Sequence, residues 1–181
     1  MLAREDASLL NSAQARRLLS GGAEVLAIDP GEHGAAAVRH RQMGAILFRT
    51  LDDWKAIEEM VDFGRPLVVL LEDQFSGKSF GSSKETTWTS GVLTGFLFAY
   101  QLDNFTVVHV APATWQAAQR RRLGVFGPQL NRQAGIGLAL HELLTVTPEA
   151  HGSVNKAKRE GYASALGILL WWEGLVSQCK G

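Results

Sequence analysis

Cysteine is almost missing from this chain: Cys179 stands alone among 181 residues, so no internal disulfide can form and a reducing compartment is expected. Net charge is missing as well. The 18 basic residues balance the 18 acidic ones, and that total gives no support by itself to a nucleic-acid partner. No apolar run approaches the roughly 20 residues a membrane-spanning helix needs; ALGILLWW is the most apolar stretch. No cationic segment leading into an apolar one opens the chain, from which a cytoplasmic, non-secreted protein with no membrane partner is expected. Internal repeats and long linkers are absent too. Residues 24–178 therefore read as a single domain, with residues 1–23 as an extension or peripheral helix outside its core.

What is present is a soluble, globular composition, 46% hydrophobic and 20% charged, in an ordered alternation of elements. Glu24 to Asp29, GAAAVRH and GAILFRT read as three strands joined by hairpin-sized gaps. LDDWKAIEEMVDF has a helical apolar period, with Asp52 and Asp53 in its first turn. LVVLLE, after Pro66, is a continuous apolar run typical of a strand buried on both faces. SSKETTWTSGVLTGFLFAYQL follows as a long helix, FTVVHVAP as a fifth strand stopped by Pro112, and three further helical segments end at KREGYASALGILLWWEGLVS. The order predicts an α/β fold, a mixed five-stranded sheet with helices on both faces.

Two of the predicted strands end in acids. Asp29 closes the first and Glu72 closes LVVLLE. If the strands are neighbours, both carboxylates emerge at one edge of the sheet and repel unless a cation or proton lies between them. Hard oxygen ligands of this kind suit Mg²⁺ or Mn²⁺, and two such ions can stabilise the entering and leaving oxygens of an in-line phosphoryl displacement. The competing reading of Asp29 is local: in DPG it accepts backbone N–H groups of the following turn.

These motifs, AIDPGEHGAAAV, LLEDQFSGKSFGSS, a helix with paired glycines and VVHVAPATWQ, together resemble the RuvC-type Holliday junction resolvases, in particular the shorter, divergent versions found in phages. The resemblance runs from about Glu24 to Val176. It implies the ribonuclease H-like fold, a homodimer, four-way DNA junctions as substrate, and hydrolysis with two Mg²⁺ or Mn²⁺ ions per site. Position by position, it makes Asp29 and Glu72 the first two metal ligands and Phe75 an aromatic near the junction centre. It brings Lys78, Ser79, Ser82, Ser83 and Lys84 to the DNA backbone, where hydroxyls, ammonium groups and a helix N-terminus are suitable phosphate partners. The lysine often found after the tryptophan is Gln116 here, and another expected near Asn131 is replaced by Arg132. Arg120, Arg121, Arg122 and Arg132 would supply that charge instead. Lys156, Lys158 and Arg159 form a further basic cluster.

The last motif departs from the family. Its essential acid aligns with Ser164 and a second acid with Gly161. Glu160, one helical turn before Ser164, is the candidate displaced third ligand, and His151 a candidate base or ligand. Three functions remain open on this reading. The chain is a metal-dependent junction endonuclease using Asp29, Glu72 and Glu160, with Ser164 at its site; or it binds branched DNA without cutting it, the acid being lost at Ser164; or it is an interaction module that does not engage nucleic acid.

Overall fold

The structure, a computed structural model, describes residues 3–6, 12–19, 22–31, 33–42, 44–62, 64–73, 105–124, 136–137, 140 and 156–177. Its centre is a six-stranded mixed sheet. In chain order the strands are β1 (Ala3–Asp6), β2 (Glu24–Asp29), β3 (Ala35–Arg39), β4 (Ile46–Thr50), β5 (Leu67–Glu72) and β6 (Phe105–Val110). Their spatial order is β1-β6-β5-β2-β3-β4. The four strands β1, β6, β5 and β2 run parallel, and β2-β3-β4 form an antiparallel meander.

All five expected strands are present, and a sixth joins them at the edge. β1 pairs with β6 from Ala3 opposite Thr106 to Asp6 opposite His109. The stretch expected to lie outside the core also contributes helix α1 (Ser12–Leu19), whose Ala15 is fully buried against the same apolar layer as the C-terminal helix. Residues 74–104, which hold the long helix read from the sequence, lie outside the described residues.

Alternation along the strands separates two cores. Ala27, Ala35, Ala37, Val68, Leu70, Val108 and Val110 face α1, α3 (Pro112–Leu123) and α4 (Lys156–Ser177). Leu26, Ile28, Val38, Val69 and Leu71 face the opposite way, toward Ile57 of the short helix α2 (Trp54–Glu58) and the buried Met60 and Val61 that follow it. Asp53 is the N-cap of α2, accepting from the Ala56 N–H at 3.0 Å, rather than a member of its first turn.

Helix α4 lies close on β2 and β3 because small residues line its path. A Cβ at Gly161 would stand 1.9 Å from the backbone oxygen of His33 and 3.4 Å from the Ala35 Cβ, so only glycine allows the helix to rest on the β2–β3 connection. Beside it Tyr162 stacks on Phe48 of β4 with ring centroids 5.3 Å apart. At its other end Glu173 takes a two-pronged ion pair from Arg39, one arm at 2.8 Å. The helix therefore runs antiparallel to β2, from the rim where β2 ends back to the rim where it begins.

Burial pushes the Tyr162 phenol above its ordinary value. The folded state holds this proton more tightly than the unfolded chain, so the stabilisation is complete below about pH 10 and falls as pH rises beyond it. Urea midpoints of the native chain and of Tyr162→Phe, compared at pH 8 and pH 10.5, should show the larger loss in the native chain.

Candidate active site

One line of register crosses the sheet at the rim where the parallel strands end. Val110 of β6 lies opposite Glu72 of β5, and on the other side Asp29 of β2 lies opposite Ala35 of β3, which lies opposite Thr50 of β4. Between the two halves, Ile28 pairs with Leu71 in parallel, and one residue further along each strand stand Asp29 and Glu72. Neighbouring strands are about 4.8 Å apart, so the two acids are immediate neighbours. They share the parity of Ala27 and Leu70 and so the face covered by α3 and α4. Both are buried, at 8% and 7% exposure. The chain leaves β2 toward β3 on one side and β5 toward β6 on the other, and the crevice at such a divergence is where open α/β sheets bind ligands.

A neutral donor bonds each carboxylate. Gly31 N–H donates to Asp29 Oδ1 at 3.0 Å, so the local turn role read in DPG is present. The turn is tight: a Cβ at Gly34 would stand 2.5 Å from the Asp29 backbone oxygen and 2.6 Å from Leu51 Cδ1. Trp115 Nε1 donates to Glu72 Oε1 at 2.9 Å in a fully buried bond. The indole comes from the first turn of α3, which Pro112 opens directly after β6. Sequence reasoning did not assign Trp115 a role. Its link to Glu72 spans 43 residues, and no spacing rule reports such a pairing.

The remaining residues named from sequence are distributed unevenly. Ser164 is half-buried on α4, one turn beyond Gly161, and Glu160 is exposed on the same helix. Gly161 is closed to any side chain by the His33 carbonyl, so the second acid that the resemblance would align here has no room. Lys158 stands near the acid rim, where its ammonium meets Asp52 at 3.4 Å. Asp52 is held below the usual carboxylate range, first by a hydrogen bond from Thr50 and also by Lys158. The arginine run is elsewhere. Arg120, Arg121 and Arg122 form the last turn of α3, where cations suit the helix dipole, and Arg121 and Arg122 border a groove with Trp171 and Glu173. Glu173 is 12 residues along α4 from Gly161, about 18 Å, so Arg121 and Arg122 are not brought to the acids. Gln116, which the resemblance aligns with a lysine, is buried. Phe75, Lys78, Ser79, Ser82, Ser83, Lys84, Arg132 and His151 lie outside the described residues, as does the side chain of Lys156.

Compared with solved structures, the chain is similar to the yeast mitochondrial Holliday junction resolvase Ydc2, with a TM-score of 0.52 at 12% identity over 93% of this chain and 88% of that one. It is also similar to Thermus thermophilus RuvC in complex with a Holliday junction substrate, with a TM-score of 0.50 at 11% identity over 84% of this chain and 95% of that one. The chain has the ribonuclease H-like fold of the RuvC-type resolvases. No family model and no curated protein matches the sequence.

Within this fold the donor set suits a hard divalent cation. Two adjacent, acceptor-only carboxylates are what Mg²⁺ takes from a protein when it keeps waters and binds substrate phosphate for the rest. Among the described residues no three His, Cys, Asp or Glu side chains stand close enough to share an ion. Asp29 and Glu72 fit one cation, and Glu160 is not grouped with them.

Proposed function

We propose that this chain is a structure-specific endonuclease that binds four-way DNA junctions and hydrolyses a phosphodiester at Asp29 and Glu72. The observation that carries the reading is the adjacency of these two buried carboxylates at the central divergence of a RuvC-type fold. In this reading Asp29 and Glu72 hold Mg²⁺ or Mn²⁺. A bound ion would offset the charge developing on the phosphate and on the departing oxygen. Gly31 N–H and Trp115 keep the carboxylates aimed, and the packed α4 shields one side from water. In this reading Lys158, near the same rim, exchanges Asp52 for a DNA phosphate. A junction has two equivalent strands to cut, so a symmetric pair of chains would deliver both cuts.

A second reading has its own support. The resemblance aligns Ser164 with the resolvases' essential acid, and Gly161 is sterically closed. A chain that binds junctions without cutting them would look like this.

Cleavage and binding of a synthetic four-way junction with Mg²⁺ or Mn²⁺, for the native chain beside Ser164→Asp, separates the readings. Cutting by the native chain supports the endonuclease. Cutting by Ser164→Asp alone supports the binder and withdraws the primary proposal. Junction affinity should fall steeply between about 50 and 200 mM salt as phosphate contacts are lost; absence of any salt-sensitive binding would overturn both readings and leave the interaction module.

A further inference from the structure

Trp115 is placed in a way that packing alone does not require. It is 3% exposed, and its single polar atom is spent on Glu72. The ring is seated from behind by α4. A Cβ at Gly167 would lie 2.4 Å and 2.7 Å from two carbons of the indole and 3.1 Å from Leu140 Cδ1, so glycine alone lets the ring rest on the helix backbone. Gln119, one turn after Trp115, is also buried and donates its amide to the Gly167 carbonyl at 3.0 Å. Helix α4 thus backs the six-membered ring of the indole, the Gln119 bond ties α3 to α4 beside it, and the N–H of the five-membered ring fixes one oxygen of Glu72.

The chemistry of the donor matters. An indole N–H donates one hydrogen bond and carries no charge. It can set the rotation of a carboxylate without neutralising it, whereas Lys or Arg in the same place would compete with a cation for that charge. We propose that Trp115 is a positioning residue for cation binding, holding Glu72 in the rotamer that presents its carboxylate to an ion shared with Asp29, with Gly167 and Gln119 as the seat that holds Trp115. This rests on the reading of Asp29 and Glu72 as the cation ligands. Partners that orient a metal's ligands are typically worth 10–100-fold in affinity or activity.

The test is a Mg²⁺ titration of ¹⁵N-labelled protein without DNA, following the indole N–H resonances of the five tryptophans, assigned through the backbone. The Trp115 resonance should move with saturation while that of Trp172, at the other end of α4, stays in place. Mn²⁺ affinity by calorimetry should fall about tenfold or more in Trp115→Phe. Gly167→Ala, which displaces the ring while leaving every residue at the carboxylates intact, should show the same loss, and its folding is checked independently by circular dichroism. A purely structural Trp115 would change unfolding midpoints and leave the ion affinity of the folded protein alone. If the native chain binds Mn²⁺ and Glu72→Gln abolishes it, yet the Trp115 resonance is unmoved and both variants bind normally, the positioning role is wrong and the cation reading stands. If the native chain binds no divalent ion at all, both fall.

Discussion

Replacing Asp29 by Asn, or Glu72 by Gln, should lower junction cutting by on the order of 10²–10³-fold while leaving junction affinity in Ca²⁺ within a few-fold of the native chain. The size follows from removing a group that supports charge developing in the reaction; the retained affinity follows because phosphate contacts spread over the surface supply most of the binding.

The second large effect concerns Gly161. Gly161→Ala should destabilise the fold by on the order of 3 kcal/mol, because the added carbon meets the His33 backbone oxygen at 1.9 Å, a backbone atom rather than the end of a flexible side chain. Urea denaturation of the purified variant measures it. Ser164→Asp, by contrast, alters a half-buried position and should cost about 1 kcal/mol or less. The comparison bears on how this chain relates to the RuvC-type pattern. Position 164 is half-buried, whereas position 161 is committed to close helix–strand packing. An unperturbed Gly161→Ala would mean that α4 sits further from the sheet than described, and the placement of Ser164 would have to be redrawn.

Much of the site was legible in the residues alone because strand-end acids leave a local signature. LVVLLE is an unbroken apolar run closed by one charge, and it is β5 from Leu67 to Glu72. The same holds for β2 and Asp29. What the sequence did not disclose was long-range or polar. ARED carries no apolar alternation, yet pairs with β6 because an edge strand is hydrogen-bonded on one side only and tolerates charge. The arginine run at 120–122 follows the tryptophan closely in sequence, but α3 runs away from the rim, and about two turns carry Arg121 and Arg122 toward the opposite end of α4. Trp115 looked like a landmark for a missing lysine. Its own contact with Glu72 depends on how α3 docks, which only the fold determines.

Crystals soaked in Mn²⁺ and measured at a wavelength where manganese scatters anomalously test the central claim most directly. The expected result is an anomalous peak about 2.1 Å from carboxylate oxygens of both Asp29 and Glu72, lost in Asp29→Asn. No peak at that rim at saturating Mn²⁺, or one bound only by other residues, would contradict it.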